Sequence, residues 1–334
     1  MPGMIPVSLP GGNFYVTMGL SLVCLATLLT WAAMLARSRD ARLWLAGHRR
    51  LGPVLMAVLA GVGAVFPYQQ FSNWVENQRV ARAEAARRTV LAQARELAGI
   101  AMPAGTELRL RAADDPASFD QARFPAPTPV AGVKAARLVR HFDAAGGPAA
   151  WSLGLAQDEP VSGWTCSRGH MAEFQVRQGR PEFASCHLAA GNQLDAQQLP
   201  PGTWLQAIPE GWLLRTDGSE ALRLDGLDLL KADVRLDPGR RRLGFEGLLA
   251  HESTLGDMTY PAGTRVTLAG AKVPGAQPGD LLFSPSRGRS ARRAGGAEIA
   301  AGKSVLQAPD GAVRAVLGNR EAGVLDVASV RLGP

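Results

Sequence analysis

Hydrophobic residues come in two long blocks near the start of the chain; beyond residue 103 the runs are short and tend to alternate with polar positions. Residues 15–36, "YVTMGLSLVCLATLLTWAAMLA", give 22 consecutive uncharged positions, and residues 51–71, "LGPVLMAVLAGVGAVFPYQQF", another 21. A helix needs about 20 such residues to cross the ~30 Å hydrocarbon layer, so each block predicts a transmembrane span. Tyr15, Trp31, Tyr68 and Trp74 lie near the block ends, where amphipathic rings favour the headgroup region. A buried helical hairpin inside a soluble core is the competing assignment. The first block does not read as a cleavable signal peptide, because no Lys or Arg precedes Arg37.

The segment between the blocks, 37–50, carries five Arg against one Asp, and residues 1–14 carry no charge. By the positive-inside rule the 37–50 loop is expected in the cytoplasm and both termini outside. From Asn73 to Leu97 the chain is rich in Ala and Arg and free of Gly and Pro, which predicts a stalk helix over 73–98. Pro103 ends any helix there.

From that point the period is two. In "PAGTRVTL" Thr264, Val266 and Leu268 share one face and Arg265 and Thr267 the other, as a half-buried strand requires. The stretch also recurs: "MPAGTEL" at 102–108, "LPPGTWL" at 199–205 and "YPAGTRV" at 260–266. Longer segments fall on the same columns. "LAQARELAGIAMPAGTEL" (91–108), "LAAGNQLDAQQLPPGTWL" (188–205) and "LAHESTLGDMTYPAGTRVTL" (249–268) align, and "LAQDEPVSGWTCSRGHMAEF" (155–174) joins them with Gly169 over Gly263. Weaker copies start at Phe124, Leu222, Leu282 and Val316, so that successive starts lie 33, 31, 33, 34, 27, 33 and 34 residues apart. A near-constant step in the range of roughly 20–50 residues predicts a solenoid or array whose units share one core. Gly105, Gly169, Gly202 and Gly263 are then structural turn residues, with a left-handed backbone expected at Gly105, Gly202 and Gly263.

The LAxxxxLxxxxxPAGTxV pattern resembles β-repeat segments of uncharacterised proteobacterial envelope proteins, and more loosely the hairpin arrays of MORN-type repeats. The resemblance covers residues 91–334. The chain departs from MORN repeats in unit length and in lacking their Tyr/Gly consensus. What the resemblance implies is a scaffold or binding surface with no particular chemistry.

Charge and candidate chemistry change this picture little. The net charge is +7, and of 36 basic residues all but Lys134, Lys231, Lys272 and Lys303 are Arg. They are scattered apart from Arg240–Arg242 and "RGRSARR" at 287–293, with no aromatic-interleaved stripe, so nucleic acid is not an expected partner. "AEIAAGKS" (297–304) satisfies a relaxed phosphate-loop pattern, but Pro309-Asp310-Gly311 makes a turn where the required helix would run, so no nucleotide is expected either. Cys24 reads as inert packing in the first span. Cys166 and Cys186 predict a disulfide in an oxidising compartment, with a bulge or bend near Gly169 to bring them together. His170 and His187 beside them leave a Cys/His metal site as the alternative, although the spacing matches no usual zinc pattern. His48, His141 and His251 read as isolated surface or turn positions. Trp151, Trp164, Trp204 and Trp212 read as core or strand-face packing, with stacking on sugar or peptide as the alternative.

The expected architecture is a membrane-anchored α plus all-β chain. It comprises a short outward tail (1–14), two transmembrane helices within 15–72, a stalk helix (73–98) and a periplasmic β-repeat domain (99–334). The expected function is non-enzymatic binding at the bacterial inner membrane, without cofactor or metal. The partners are the lipid bilayer and a periplasmic protein, a toxin or an envelope component; in the first case the chain is an immunity protein. The alternatives are an envelope-assembly scaffold and a cell-envelope hydrolase using carboxylates such as Asp225, Asp228 or Asp233.

Overall fold

The computed structural model describes residues 12–48, 50–286, 289–300 and 302–324. Most of the 1–14 tail, and Arg287 and Gly288 of the "RGRSARR" stretch, lie outside them. The chain divides into a helical unit that ends at Ala86 and a β unit that begins at Arg87.

The helical unit holds α1 (Gly12–Arg37), α2 (Arg39–Gly47) and α3 (Leu51–Ala86). Two helices, over Phe14–Arg37 and Leu51–Ala86, are long and apolar enough to cross a membrane, and their most apolar windows are only 6% and 11% buried. That exposure is the opposite of a soluble core hairpin. The two long helices meet through small groups. Pro67 lacks an N–H, which leaves the Gly63 carbonyl without its helical donor. Ser21 on α1 donates its hydroxyl to that carbonyl at 2.8 Å and accepts from the Phe66 N–H at 3.0 Å. A Cβ on Gly63 would come within 3.0 Å of the Leu25 backbone, so glycine is what permits this approach. The 37–50 segment is not a plain loop. Ser38 caps α2 by accepting from the Ala41 N–H, and α2 leaves Leu43 and Trp44 exposed among its arginines.

The β unit is a meander. Fifteen strands lie side by side in chain order, each antiparallel to the next. They are β1 (Arg88–Val90), β2 (Glu107–Leu110), β3 (Phe119–Val130), β4 (Val133–Phe142), β5 (Pro148–Leu155), β6 (Met171–Arg177), β7 (Arg180–His187) and β8 (Trp204–Ile208). Then follow β9 (Gly211–Arg215), β10 (Leu227–Leu236), β11 (Arg242–Leu249), β12 (Arg265–Leu268), β13 (Leu281–Ser284), β14 (Lys303–Gln307) and β15 (Val313–Gly318). At one end of the strands the chain makes small hairpin excursions: Arg95–Leu97 with Ile100–Met102, Glu159–Val161 with Trp164–Cys166, Gln193–Leu194 with Gln197–Gln198, and Ser253–Leu255 with Met258–Tyr260. Leu222–Leu224 folds the same way against the start of β10. Four hairpin tips use two-residue turns with both residues at positive φ, as at Ala98–Gly99 and Asp225–Gly226, the twist that tight hairpins prefer. At the Ser253–Tyr260 hairpin only Gly256 has positive φ. The hairpins bring Met102, Trp164, Leu222, Leu229 and Tyr260 onto the sheet face that carries Leu138, Leu153, Leu214 and Val234, making one core of two layers.

The three Pro-x-Gly-Thr turns share one set of bonds. Gly105, Gly202 and Gly263 have φ of 83°, 83° and 77°. Their N–H groups donate to the carbonyls of Leu91, Leu188 and Leu249 at 2.7, 2.8 and 2.7 Å. Each buried Thr (106, 203 and 264) donates its hydroxyl to the turn's own Pro carbonyl at 2.7 Å. The motif thus ties a strand's end to the start of its neighbour while burying no unpaired hydroxyl. No heavy atom lies within 4 Å of a Cβ built on Gly202, so conformation alone opposes a side chain there. Gly202→Ala is expected to lower the stability of the β unit by about 1–2 kcal/mol, measured by denaturant unfolding; an unchanged midpoint would contradict the turn assignment.

Four expectations need correction. The stalk helix does not reach 98: α3 runs through 73 and stops at Ala86, and 88–90 is already strand β1. Leu91 and Leu97 are anchored in the core, so tertiary pairing overrides the helical propensity of this Ala- and Arg-rich stretch. Gly169 lies in a turn, Ser167–His170, but has no left-handed φ and no Pro or Thr partner, so it is not the counterpart of Gly263. The copy placed at Leu222 starts inside a hairpin; the position equivalent to Leu188 and Leu249 is Thr216, whose N–H donates to the Ala232 carbonyl. The copy placed at Leu282 likewise starts within β13, before the strand end.

Candidate functional site

Period-two alternation gives the sheet a second face, and over β1–β10 that face is mostly polar. One register row crosses it from Arg88 on β1 to Arg235 on β10, polar at Gln121, Ser152, Glu173 and Gln206 and apolar at Val139 and Leu213. The next residue along each strand points the other way; Leu108, Leu138 and Leu153 are buried. Past β12 the outer face changes character, because residues 269–276 and 319–324 fold over it and bury Leu282, Leu306 and Leu317. The open face is therefore confined to the first twelve strands.

Across β1–β4 this face forms a groove of about 920 Å³, and each of the four strands contributes one arginine: Arg88, Arg109, Arg123 and Arg137. Arg109 is committed. It donates to both carboxylate oxygens of Asp120 at 2.8 and 2.6 Å, and the Gln121 amide, turned with its oxygen toward the guanidinium, accepts from it at 3.1 and 3.2 Å. Among the described residues Arg88, Arg123 and Arg137 make no hydrogen bond or ion pair through their side chains. Register sets Arg123 directly opposite Arg137, and Arg88 directly opposite Arg109. Like charges opposite one another in a sheet repel. Glu107, the only acid lining the groove among the described residues, faces Arg123 across the β2–β3 pair without closing to an ion pair.

Farther along the face, three strands join in a short polar chain. Ser152 donates to Glu173 at 2.7 Å, and His141 Nε2 meets the Ser152 hydroxyl at 2.8 Å. This is not a hydrolytic triad. The serine stands between the acid and the imidazole, whereas nucleophile activation needs the imidazole in the middle. His141 is accordingly not isolated, as the sequence suggested; it ties β4 to β5.

The cysteines belong to the buried core. Cys166 and Cys186 are joined in a disulfide, with Cα atoms 5.9 Å apart and both residues buried. The Ser167–His170 turn supplies the bend: Ser167 N–H donates to the His187 carbonyl and Ala189 N–H to that of Thr165, which aligns the two segments. His170 and His187 stack, ring centroids 4.2 Å apart and planes 25° apart. Near-parallel rings aim their lone pairs side by side and not at one ion, and the sulfurs are already bonded to each other. No cluster of three metal-ligating side chains occurs among the described residues. Burial, and then the charge of His170, lower the pKa of His187.

Asp225, Asp228 and Asp233 are each engaged, with Arg242 at 2.6 Å, His251 at 3.4 Å and Arg215 at 2.8 Å. They do not converge on one site. Lys303 and Ser304 open strand β14, not a helix, and Ser304 is buried against Ser284 and Asn319. Trp151 and Trp164 lie in the core, with Trp212 packed at its edge and Arg240 stacked on Trp164 at 4.3 Å. Trp204 is half-buried on the outer face beneath Arg215. The arginine groove itself was missed in the sequence. Its signal was one Arg at an outward position on each of four successive strands, visible only once the register is known. Comparison with protein-family models, with curated proteins and with solved structures found no match.

Proposed function

We propose that the chain is a non-enzymatic binding protein of the bacterial inner membrane, anchored by α1 and α3 and presenting a β-repeat array in the periplasm. One observation carries the binding assignment: a broad sheet face is left polar and open while hairpins cover the other. Beyond β12 the same face is closed over by residues 269–276 and 319–324, so the stretch left open is a distinct part of the sheet. Support for the anchor comes from two bare apolar helices, and for an oxidising compartment from the Cys166–Cys186 bond. The recurring Pro-x-Gly-Thr bonding and the hairpins that return at one end of the sheet support an array of like units. The partner on this reading is a periplasmic protein, either a toxin that the chain neutralises or an envelope component that it positions.

Topology is the first test. A reporter active only in the periplasm, fused after Pro334, is expected to be active, and a cytoplasm-only reporter silent. The reverse pattern would remove both the periplasmic location and the setting in which the disulfide is stable.

A further inference from the structure

We infer that the groove across β1–β4 is a docking site for an acidic, extended protein segment, whose carboxylates bind Arg88, Arg123 and Arg137. This rests on the protein-binding reading above and names the chemistry of the partner. Four arginines against one glutamate leave the lining strongly positive. Asp120 is bonded to Arg109, and among the described residues Arg88, Arg123 and Arg137 close no ion pair, with Glu107 the one acid facing them, opposite Arg123. The Arg123–Arg137 pairing places two of them side by side in register, an arrangement that an isolated sheet disfavours. A carboxylate seated between them turns that repulsion into two charge-assisted bonds. Guanidinium forks match carboxylates edge to edge, which a diffuse counter-ion cannot exploit.

The shape favours a chain over a compact ion. Neighbouring strands lie about 4.8 Å apart and like-facing residues within one strand about 6.8 Å apart. The Arg88/Arg109 pair and the Arg123/Arg137 pair lie on adjoining rows of the face, two strands removed. A single carboxylate or phosphate cannot reach both pairs, whereas acidic side chains spaced along an extended segment can.

The test uses the full chain in phosphatidylcholine nanodiscs and a fluorescein-labelled decaglutamate peptide, read by anisotropy. Saturable binding is expected, weakening steeply with salt. Arg123→Gln with Arg137→Gln should reduce the affinity by roughly tenfold or more, as expected for loss of two charge-assisted contacts. Arg223→Gln, an exposed arginine on the hairpin layer, should leave it within about twofold. The double variant should melt no lower than the parent, because it removes a like-charge pair; this separates lost binding from lost folding. Inorganic phosphate should not displace the peptide at matched charge. Failure of the peptide to bind, or equal affinity in the double variant, would overturn the inference. So would efficient displacement by soluble dihexanoyl phosphatidylglycerol that itself requires Arg123 and Arg137, which would mark a lipid headgroup site. If photo-crosslinks to a protein partner persist in the double variant, protein binding stands and the acidic groove alone fails.

Discussion

Gly256→Ala is expected to destabilise the β unit by about 2–5 kcal/mol, combining a left-handed penalty of ~1–2 kcal/mol with an overpacking cost of ~1–3 kcal/mol. Gly256 is at the tip of the hairpin between β11 and β12 and has φ of 58°. Its Cα touches the turn between β14 and β15: a Cβ on Gly311 would lie 2.6 Å from the Gly256 Cα, and a Cβ on Gly256 would run into the Gly311 carbonyl. Gln307 locks the same contact. Its amide donates to the carbonyls of Leu255 and Gly311 at 2.8 and 2.7 Å and accepts from the buried Tyr260 hydroxyl at 2.5 Å. Gly202→Ala carries the conformational penalty without the collision, so the difference between the two variants isolates the docking of this hairpin. Denaturant unfolding measures both; equal losses would mean that the hairpin does not rest on that turn.

Loss of the disulfide should have a comparable effect. Cys166 and Cys186 are 20 residues apart, and closing such a loop is worth about 3 kcal/mol in the chain-entropy model. Bonded to each other, the two cysteines should resist alkylation in protein purified without reductant, even once unfolded, and react only after reduction. Cys166→Ser should lower the unfolding midpoint and free a single thiol at Cys186. Two readily alkylated thiols in the untreated protein, or an unchanged midpoint in the variant, would contradict the bridge.

The sequence was most informative where one physical rule acted locally. Uninterrupted apolar blocks marked α1 and α3, and alternation in "PAGTRVTL" correctly placed Thr264 and Val266 inside. The three Pro-x-Gly-Thr copies were legible because a left-handed glycine and a threonine bonded to its own turn leave a fixed residue pattern. Legibility failed where distant contacts decided the outcome. Arg95–Leu97 is helical by composition and becomes strand because Leu97 is drawn into the core. Thr216 carries no motif, and only its bond to Ala232 identifies it as a strand end. The groove is the extreme case. Arg88, Arg109, Arg123 and Arg137 are ordinary exposed arginines in sequence, and cross-strand register alone makes them neighbours.

Site-specific photo-crosslinking in living cells tests the binding face most directly. A benzophenone amino acid at Arg137 or Arg235, both exposed on the outer face, should give a discrete protein adduct from the periplasm. The same probe at Gln197 or Arg223, exposed on the hairpin layer, should not. Adducts from the hairpin positions but not from Arg137 or Arg235, or from none of the four, would contradict a partner seated on the open sheet face.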